Sequence, residues 1–458
     1  MLSYTLKEHS SIGIMNILNS LGYMKLAQSG SGRNSDIAMI TEKAISRFKR
    51  KNKEYLAFLG LSIIDKKIVS SGKAGAIPLE YALGSNEKAN LTVEPMINWQ
   101  TMSDFASVTK DRSWLSIKQE WEISKVLDIE LWYFSKPFLT ESLNVLRRPA
   151  KGFKTYESTE SYPKGNTNWI DYAVNKYPYR DILFSNTNSI STYDVLPHSI
   201  LLWCLNKIYD SIINIVHVPA DILSEIDELK SILGSNILPL VPTKNNLNKL
   251  PKSGAWAGYL NLYNEIEHIA ILSGVLNEDK TRGCAYSIQT EKLFEEFTIY
   301  ICEQFAINNG FKIYKDTDDS SRIGLKQIGD SKFTMLSSLR PDIAFTSNDT
   351  LIIIDSKYKR HYDLANTNSS KENDWYQEMR NDLHQVICYN IFSQKPKKLF
   401  LLTHPKISSG LEFNIWRTNR DKNCIVGFLP IKFDNESQIN KITKVYEKNL
   451  NLILANFI

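Results

Sequence analysis

Cysteine is scarce and scattered in this chain: five residues among 458, at positions 204, 284, 302, 388 and 424, with no CxxC pair. That usage excludes a disulfide frame and a zinc ribbon and reads as reduced thiols in a cytoplasmic protein. The seven histidines form no HExxH pattern, so nothing in their order supports a histidine-based metal site. No run of eighteen apolar residues occurs, and no transmembrane helix is expected. The amino terminus, MLSYTLKEHSSIGIMNILNSLGY, places Lys7, Glu8 and His9 before any apolar stretch. It lacks the basic start, apolar segment and small-residue cleavage site of a secretory signal. There is no GxxxxGK(S/T) loop, so any nucleotide hydrolysis must come from another chain. No internal repeat is visible.

The chain does hold enough apolar residues to build cores: 43% are hydrophobic, 11% aromatic and 23% charged. At this length two or three domains are expected. The net charge of +5 is compatible with a nucleic-acid partner without requiring one. Arg47, Lys49, Arg50, Lys51 and Lys53 form the densest basic cluster. They read either as a solvated helix face or as a phosphate-contacting surface that displaces condensed counterions.

Three regions separate. Residues 1–130 begin with a predicted helix, pass through the turn-rich SGSGRNSD at 29–36, and continue in short β-like runs over 55–83, as in a small β-containing domain. Residues 131–280 are predicted to be largely helical. Leu201, Leu202, Leu205, Ile208, Ile212 and Ile213 lie near helical spacing, and EIDELKSILG and YLNLYNEIEHIAILSGVL add two more helices. The polar, Tyr- and Asn-rich stretch 152–196 is full of turn formers. Residues 281–458 read as α-β-β-β-α-β: a helix from Thr290 to Gly310, the strands FKIYK, KFTMLSSL with PDIAF, and TLIIIDSKY, a helix over 375–392, then LFLLTH. This order, with one strand of consecutive aliphatics, predicts a mixed sheet flanked by helices, and the fold class is mixed α/β.

The chemistry concentrates in LRPDIAFTSNDTLIIIDSK, residues 339–357. Asp355 follows Leu351-Ile352-Ile353-Ile354, where an unpaired carboxylate is costly unless a partner, proton or metal compensates it. Asp342, at the start of one strand, can meet Asp355 near the end of its neighbour. Lys357, two residues on, leaves the same face. Two or three carboxylates suffice for Mg²⁺, which keeps several waters, and a lysine beside them suits phosphodiester hydrolysis. A surface i,i+2 ion pair closing an ordinary strand remains the plainer reading. Glu295 shares a helical stripe with Ile299, Cys302 and Ala306, which invites a metal or a salt bridge. Asp382, Gln385 and Tyr389 form a polar stripe on the later helix, beside Leu383, Ile387 and Ile391. Gln385 and Tyr389 either face the acidic pair or simply border the helix.

In this order LFEEF, LRPDIAF, LIIIDSKYK, DLHQVICYNIF and KLFLLTHP resemble PD-(D/E)xK nucleases over about 285–405, and among them the McrC family of McrBC-type modification-dependent restriction systems. The resemblance implies a restriction-endonuclease-like domain at 281–458, with Glu295, Asp342, Asp355, Lys357, Gln385 and Tyr389 as its site. Glu295, Asp342 and Asp355 would hold Mg²⁺. It implies cleavage of double-stranded DNA together with an AAA+ GTPase partner that recognises modified DNA. The basic cluster at 47–53 and Arg340 are the DNA-contacting candidates. The short strands of LSIIDKKIVSSGKAGAIPLEY and LTVEPMINW resemble the family's small motor-docking domain. Met96, however, stands where a basic residue is expected, so no motor-activating residue is carried over. Two rivals stay open: a self-sufficient restriction endonuclease that reads DNA through its first two regions, and a non-catalytic scaffold.

Overall fold

The computed structural model describes residues 2–20, 34–80, 88–109, 113–118, 135–176, 183–213, 220–273, 275, 285–315, 323–324, 338–339, 341–346, 349–359, 372–388, 395–406, 414–417, 423–433 and 439–457. The chain divides into two compact units, one made of Met1–Lys118 with Ala285–Ile458 and the other of Gln119–Cys284. The two terminal regions, separate in sequence, therefore share one unit. The architecture is mixed α/β, as expected. Among the described residues no helix is long and apolar enough to cross a membrane.

The predicted helix forms over Ile14–Ser20, but the first unit opens on a strand before it, β1 (Leu2–Lys7). Its residues pair in parallel with β3 (Lys88–Glu94), and that partner outweighs the local pattern. β2 (Lys73–Glu80), β4 (Leu115–Lys118) and β5 (Ala285–Gln289) complete a five-stranded sheet in the order β1-β3-β2-β5-β4. β5 comes from the far side of the sequence, yet it pairs antiparallel with both β2 and β4. Gly75 permits the approach. Its φ is +145°, and a Cβ there would lie 2.2 Å from the Tyr286 carbonyl oxygen. A second sheet of three short strands, Ser11–Gly13, Lys67–Val69 and Ser62–Ile64, lies in the same unit. Asp65 and Lys66 turn between two of them with positive φ. The helix α1 (Asn34–Phe58) takes in the last three residues of the predicted turn SGSGRNSD, and the rest of that turn lies outside the described residues.

The six-stranded sheet runs β6-β7-β8-β9-β11-β10, with β6 (Lys312–Lys315), β7 (Ile343–Thr346), β8 (Thr350–Ser356), β9 (Lys397–Thr403), β10 (Asn414–Arg417) and β11 (Cys424–Phe428). β8 pairs antiparallel with β7 and parallel with β9, so this sheet is mixed. Its run of aliphatics is explained by burial on both faces. On one face Ala344, Ile353, Phe400 and Leu402 pack with Met379 and Val386 of α4 (Glu372–Cys388). On the other, Phe345 meets Phe305 of α3 (Thr290–Asn309), with ring centroids 5.8 Å apart. α3 ends, as its sequence predicts, at a left-handed Gly310 with φ +69°. Phe105 of α2 (Trp99–Val108) stacks on Phe297 of α3 at 3.9 Å.

One buried carboxyl joins the two larger sheets. Glu8, just after β1 and 2% exposed, accepts a hydrogen bond from the Met96 amide (2.7 Å) and one from the Tyr358 hydroxyl (3.1 Å). Its other oxygen lies 2.5 Å from Thr290 Oγ1, at the first residue of α3. Burial pushes its pKa up to about 7, against its hydrogen-bond contacts with Thr290, Met96 and Tyr358, and Glu291 adds to the rise.

The second unit has a helical core. Helices Ser135–Leu146, Leu196–Ile212, Ala220–Leu233 and Leu260–Leu272 bury Phe138, Leu205, Ile208, Ile226 and Ile266 together. The polar stretch expected as turns instead forms an antiparallel sheet of Gly152–Glu160, Phe184–Thr192 and Asn166–Thr167. Its two long strands, GFKTYESTE and FSNTNSIST, carry four threonines, two phenylalanines and a tyrosine, which suit a pleated surface even where little of it is buried.

The buried acid gives a pH prediction. Glu8 binds its proton more tightly folded than unfolded, so its favourable contribution is complete below about pH 4.5 and is lost as pH rises through about 7. A Glu8→Gln variant keeps the acceptor and cannot ionise. In urea titrations at several pH values it should match the parent at pH 4.5 and exceed it above pH 7, by up to about 3 kcal/mol at about 1.4 kcal/mol per unit.

Candidate active site

The end of β8 carries the chemistry because the strand continues past the apolar layer. Ile352, Ile353 and Ile354 are buried in the core, and Asp355 follows at 1% exposure. The last antiparallel pair between β7 and β8 is Ile343 with Ile354, which brings Asp342 to the same end of the sheet. Asp342 Oδ2 accepts from the Ser356 amide (2.7 Å) and the Ser356 hydroxyl (2.9 Å). Its carboxylate is thereby fixed against the backbone one residue beyond Asp355.

Lys357 follows on the same face of the chain as Asp355. Its amide donates to the Thr403 carbonyl of β9 at 2.7 Å, which extends the parallel pairing. Its ammonium lies 2.6 Å from Asp355 Oδ2 and donates to Gln385 Oε1 at 3.3 Å. Asp355 Oδ2 is nonetheless buried without a properly directed hydrogen bond, so the lysine supplies charge and leaves the oxygen's lone pairs incompletely used. Burial and the neighbouring Asp342 push the Asp355 pKa up to about 6, against the pull of Lys357. Burial lowers the Lys357 pKa, but attraction to Asp355 and then Asp342 outweighs it, and the net direction is up.

A second ion pair lies alongside. Lys359 Nζ grips both oxygens of Asp382 on α4, at 2.8 and 2.9 Å. Asp382 is 6% exposed. Its charge also raises the Asp355 pKa. Met379, Asp382 and Val386 form the buried stripe of α4, with Leu383 half-buried beside them, while Gln385 and Ile387 are exposed. The predicted apolar border through Ile387 is therefore displaced by one helix position.

The structure thus brings together Asp342, Asp355, Lys357 and Gln385. Glu295 does not complete a three-carboxylate group with them; among the described residues no cluster of three or more His, Cys, Asp or Glu is placed to hold a metal. Glu295 is half-buried on α3, across the sheet from α4, as are Glu296 and Glu303. The buried face of α3 centres on Phe294, Phe297, Ile301 and Phe305 and takes in Cys302 and Ala306 of the predicted stripe, with Glu295 and Ile299 half-buried at its border. Tyr389 and Arg340 lie outside the described residues. Arg47, Lys49, Arg50, Lys51 and Lys53 are all exposed on α1. Sequence reasoning missed Lys359 and the Ser356 hydroxyl. The two-residue alternation of Asp355, Lys357 and Lys359 at and beyond the end of β8 is the available signal for the first.

The model of the McrBC family, described as the McrBC 5-methylcytosine restriction system component, matches residues 118–405, more than half of the chain. The chain belongs to this family. No curated protein matches it. Among solved structures, a chain of the refined half-complex of Thermococcus gammatolerans McrB AAA+ hexamers with bound McrC is similar at 13% identity and a TM-score of 0.48, over 98% of this chain and 100% of that one. The cryo-EM structure of the Thermococcus gammatolerans McrBC complex is similar at 13% identity and a TM-score of 0.34, over 66% of this chain and 88% of that one. Within this McrBC-family chain the site rests on its own residues.

Replacing Lys359 by alanine would leave Asp382 buried without its bidentate partner. Because the lysine is partly solvated, the expected loss is about 1–3 kcal/mol, between the values for surface and fully buried pairs. Urea denaturation of Lys359→Ala against the parent checks it.

Proposed function

We propose that this McrBC-family chain is the metal-dependent DNA endonuclease subunit of its restriction system, with a PD-(D/E)xK site at the end of β8. The observation that carries this reading is the buried Asp355 beside Asp342, with Lys357 2.6 Å away and an Asp355 oxygen that still lacks a directed hydrogen bond. The residues present fit Mg²⁺. Two neighbouring carboxylates offer hard oxygen ligands, and the rest of an octahedral shell can remain water. Asp342 and Asp355 would hold the ion, which supplies a polarised phosphate and a more acidic bound water.

The chain's own groups do the rest. Ser356 orients Asp342 through two hydrogen bonds. Lys357, fixed by the Thr403 carbonyl and by Gln385, holds positive charge where a phosphate oxygen gains negative charge. The exposed row Arg47, Lys49, Arg50, Lys51 and Lys53, together with Arg340, would contact DNA phosphates. Methylated double-stranded DNA is the substrate suggested by the family description. In the Thermococcus gammatolerans assembly McrC is bound to McrB AAA+ hexamers. We extend that arrangement to this chain, with an AAA+ GTPase as its partner and the cytoplasm as its setting. The chain's lack of a phosphate-binding loop is consistent with a separate motor.

Cleavage of methylated plasmid by the purified chain should require Mg²⁺, the partner GTPase and GTP. Asp355→Ala and Lys357→Ala should each lower the rate by at least about 10²-fold while circular dichroism stays unchanged. Persistent cleavage in both variants would show the site to be misassigned. Cleavage by the chain alone would favour the self-sufficient endonuclease instead. A parent that binds DNA and partner but never cleaves would favour the scaffold.

A further inference from the structure

Glu8 poses a question that the acidic pair does not answer. Its carboxyl is buried at the end of the first strand, and the groups that contact it are an amide and two hydroxyls rather than a cation. A carboxyl in such a setting is costly when ionised. The protons around it point to the neutral form. Thr290 Oγ1 lies 2.5 Å from Glu8 Oε1 and 3.0 Å from the Gly72 carbonyl, yet a hydroxyl has one proton to donate. The carbonyl can only accept, so both contacts are satisfied when Thr290 donates to Gly72 and Glu8 donates to Thr290. Glu8 Oε2 is then free to accept from the Met96 amide and the Tyr358 hydroxyl, and Tyr358 in turn accepts from the Ile97 amide at 3.3 Å.

The place of these partners gives the arrangement its meaning. Tyr358 directly follows Lys357, is itself 2% exposed, and packs its ring 5.6 Å from Phe294 of α3. Thr290 begins α3, and Met96 and Ile97 lead into α2. Lys357 is therefore held on one side by the hydrogen bond its amide donates to the Thr403 carbonyl and on the other by a tyrosine whose hydroxyl is fixed by the amino-terminal segment. Successive residues in extended chain point to opposite sides, so anchoring Tyr358 inward constrains where the Lys357 ammonium can go.

We propose that Glu8 is a positioning residue for Lys357, acting through the Tyr358 hydroxyl, so that the first strand of the chain is a working part of the site at the end of β8. This inference rests on the nuclease reading for its catalytic consequence but not for its structural one. Two variants separate the parts of the network. Glu8→Ala removes the anchor, and Tyr358→Phe removes one hydroxyl with little change in packing. Glu8→Gln keeps an acceptor towards Met96 and Tyr358 and turns its amide towards Thr290.

The test combines hydrogen exchange of the full-length chain with single-turnover cleavage in the Mg²⁺, GTP and partner assay. The amides of Ser356 and Lys357 should exchange about tenfold faster in Glu8→Ala and in Tyr358→Phe, while those of β11 keep the parental rate. Cleavage should fall about tenfold in the same two variants, and Glu8→Gln should restore both readouts. Parental exchange at Ser356 and Lys357 in both variants overturns the proposal. So does faster exchange there with undiminished cleavage, or loosening that is uniform across the sheet. If Asp355→Ala cleaves like the parent, the nuclease reading fails by itself, and the exchange comparison still decides whether Glu8 positions Lys357.

Discussion

Asp355 occupies a position that the sheet makes expensive. The strand before it is buried on both faces by α3 and α4, and such a strand offers little water at its end to solvate a carboxylate. Asp342 raises the cost by bringing a like charge to the same edge. Lys357 offsets it with an ammonium at 2.6 Å, yet an Asp355 oxygen remains without a directed hydrogen bond. Much of the local structure can be understood as holding this imbalance in place. Ser356 fixes Asp342, Thr403 fixes the Lys357 backbone, and Lys359 keeps the third carboxylate, Asp382, neutralised on its own helix. In the proposed reading, Asp342 and Asp355 would offer a divalent cation hard oxygen ligands at this edge.

The same edge depends on parts of the chain far away in sequence. β5 enters the amino-terminal sheet between β2 and β4, and α3 follows it directly. That pairing needs the backbone of Gly75 at a φ no ordinary side chain accepts, with the Tyr286 carbonyl where a Cβ would be. Glu8 then joins β1 to the start of α3 and to Tyr358 beyond β8. The sheet that carries the acidic pair and the sheet that opens the chain thus belong to one compact unit. A buried neutral acid suits such a junction, since it can accept and donate without the desolvation cost of a charge.

Several local readings of the sequence were sound where one physical signal dominated. The αL glycine at 310 ended α3, four consecutive aliphatics marked β8 as a central strand, and the helices of the second unit followed their apolar spacing. Others went astray where a distant partner decided the outcome. The helix expected near the start forms at Ile14–Ser20, but β1 before it is not signalled locally, because its parallel neighbour lies over eighty residues away. The polar stretch within 152–192 looked like turns because its strands gain from each other rather than from a buried face. Glu295 shares its stripe with the buried Cys302 and Ala306 but is only half-buried, because the packed face of the helix centres on Phe294, Phe297, Ile301 and Phe305.

By itself, then, the sequence determined the mixed α/β class, the strand that ends in Asp355 and Lys357, and their common face. Those depend on apolar runs and on the two-residue period of a strand, which are local properties. Tertiary structure decided which other groups meet them. It brought Asp342 against Ser356, seated Gln385 at Lys357, paired Lys359 with Asp382, and, among the described residues, formed no three-carboxylate group that includes Glu295. It also placed Glu8, which carries no local signal of a role, against the residue next to Lys357. Such contacts span 14 to 350 positions. They are set by how sheets and helices pack, and no local periodicity encodes them.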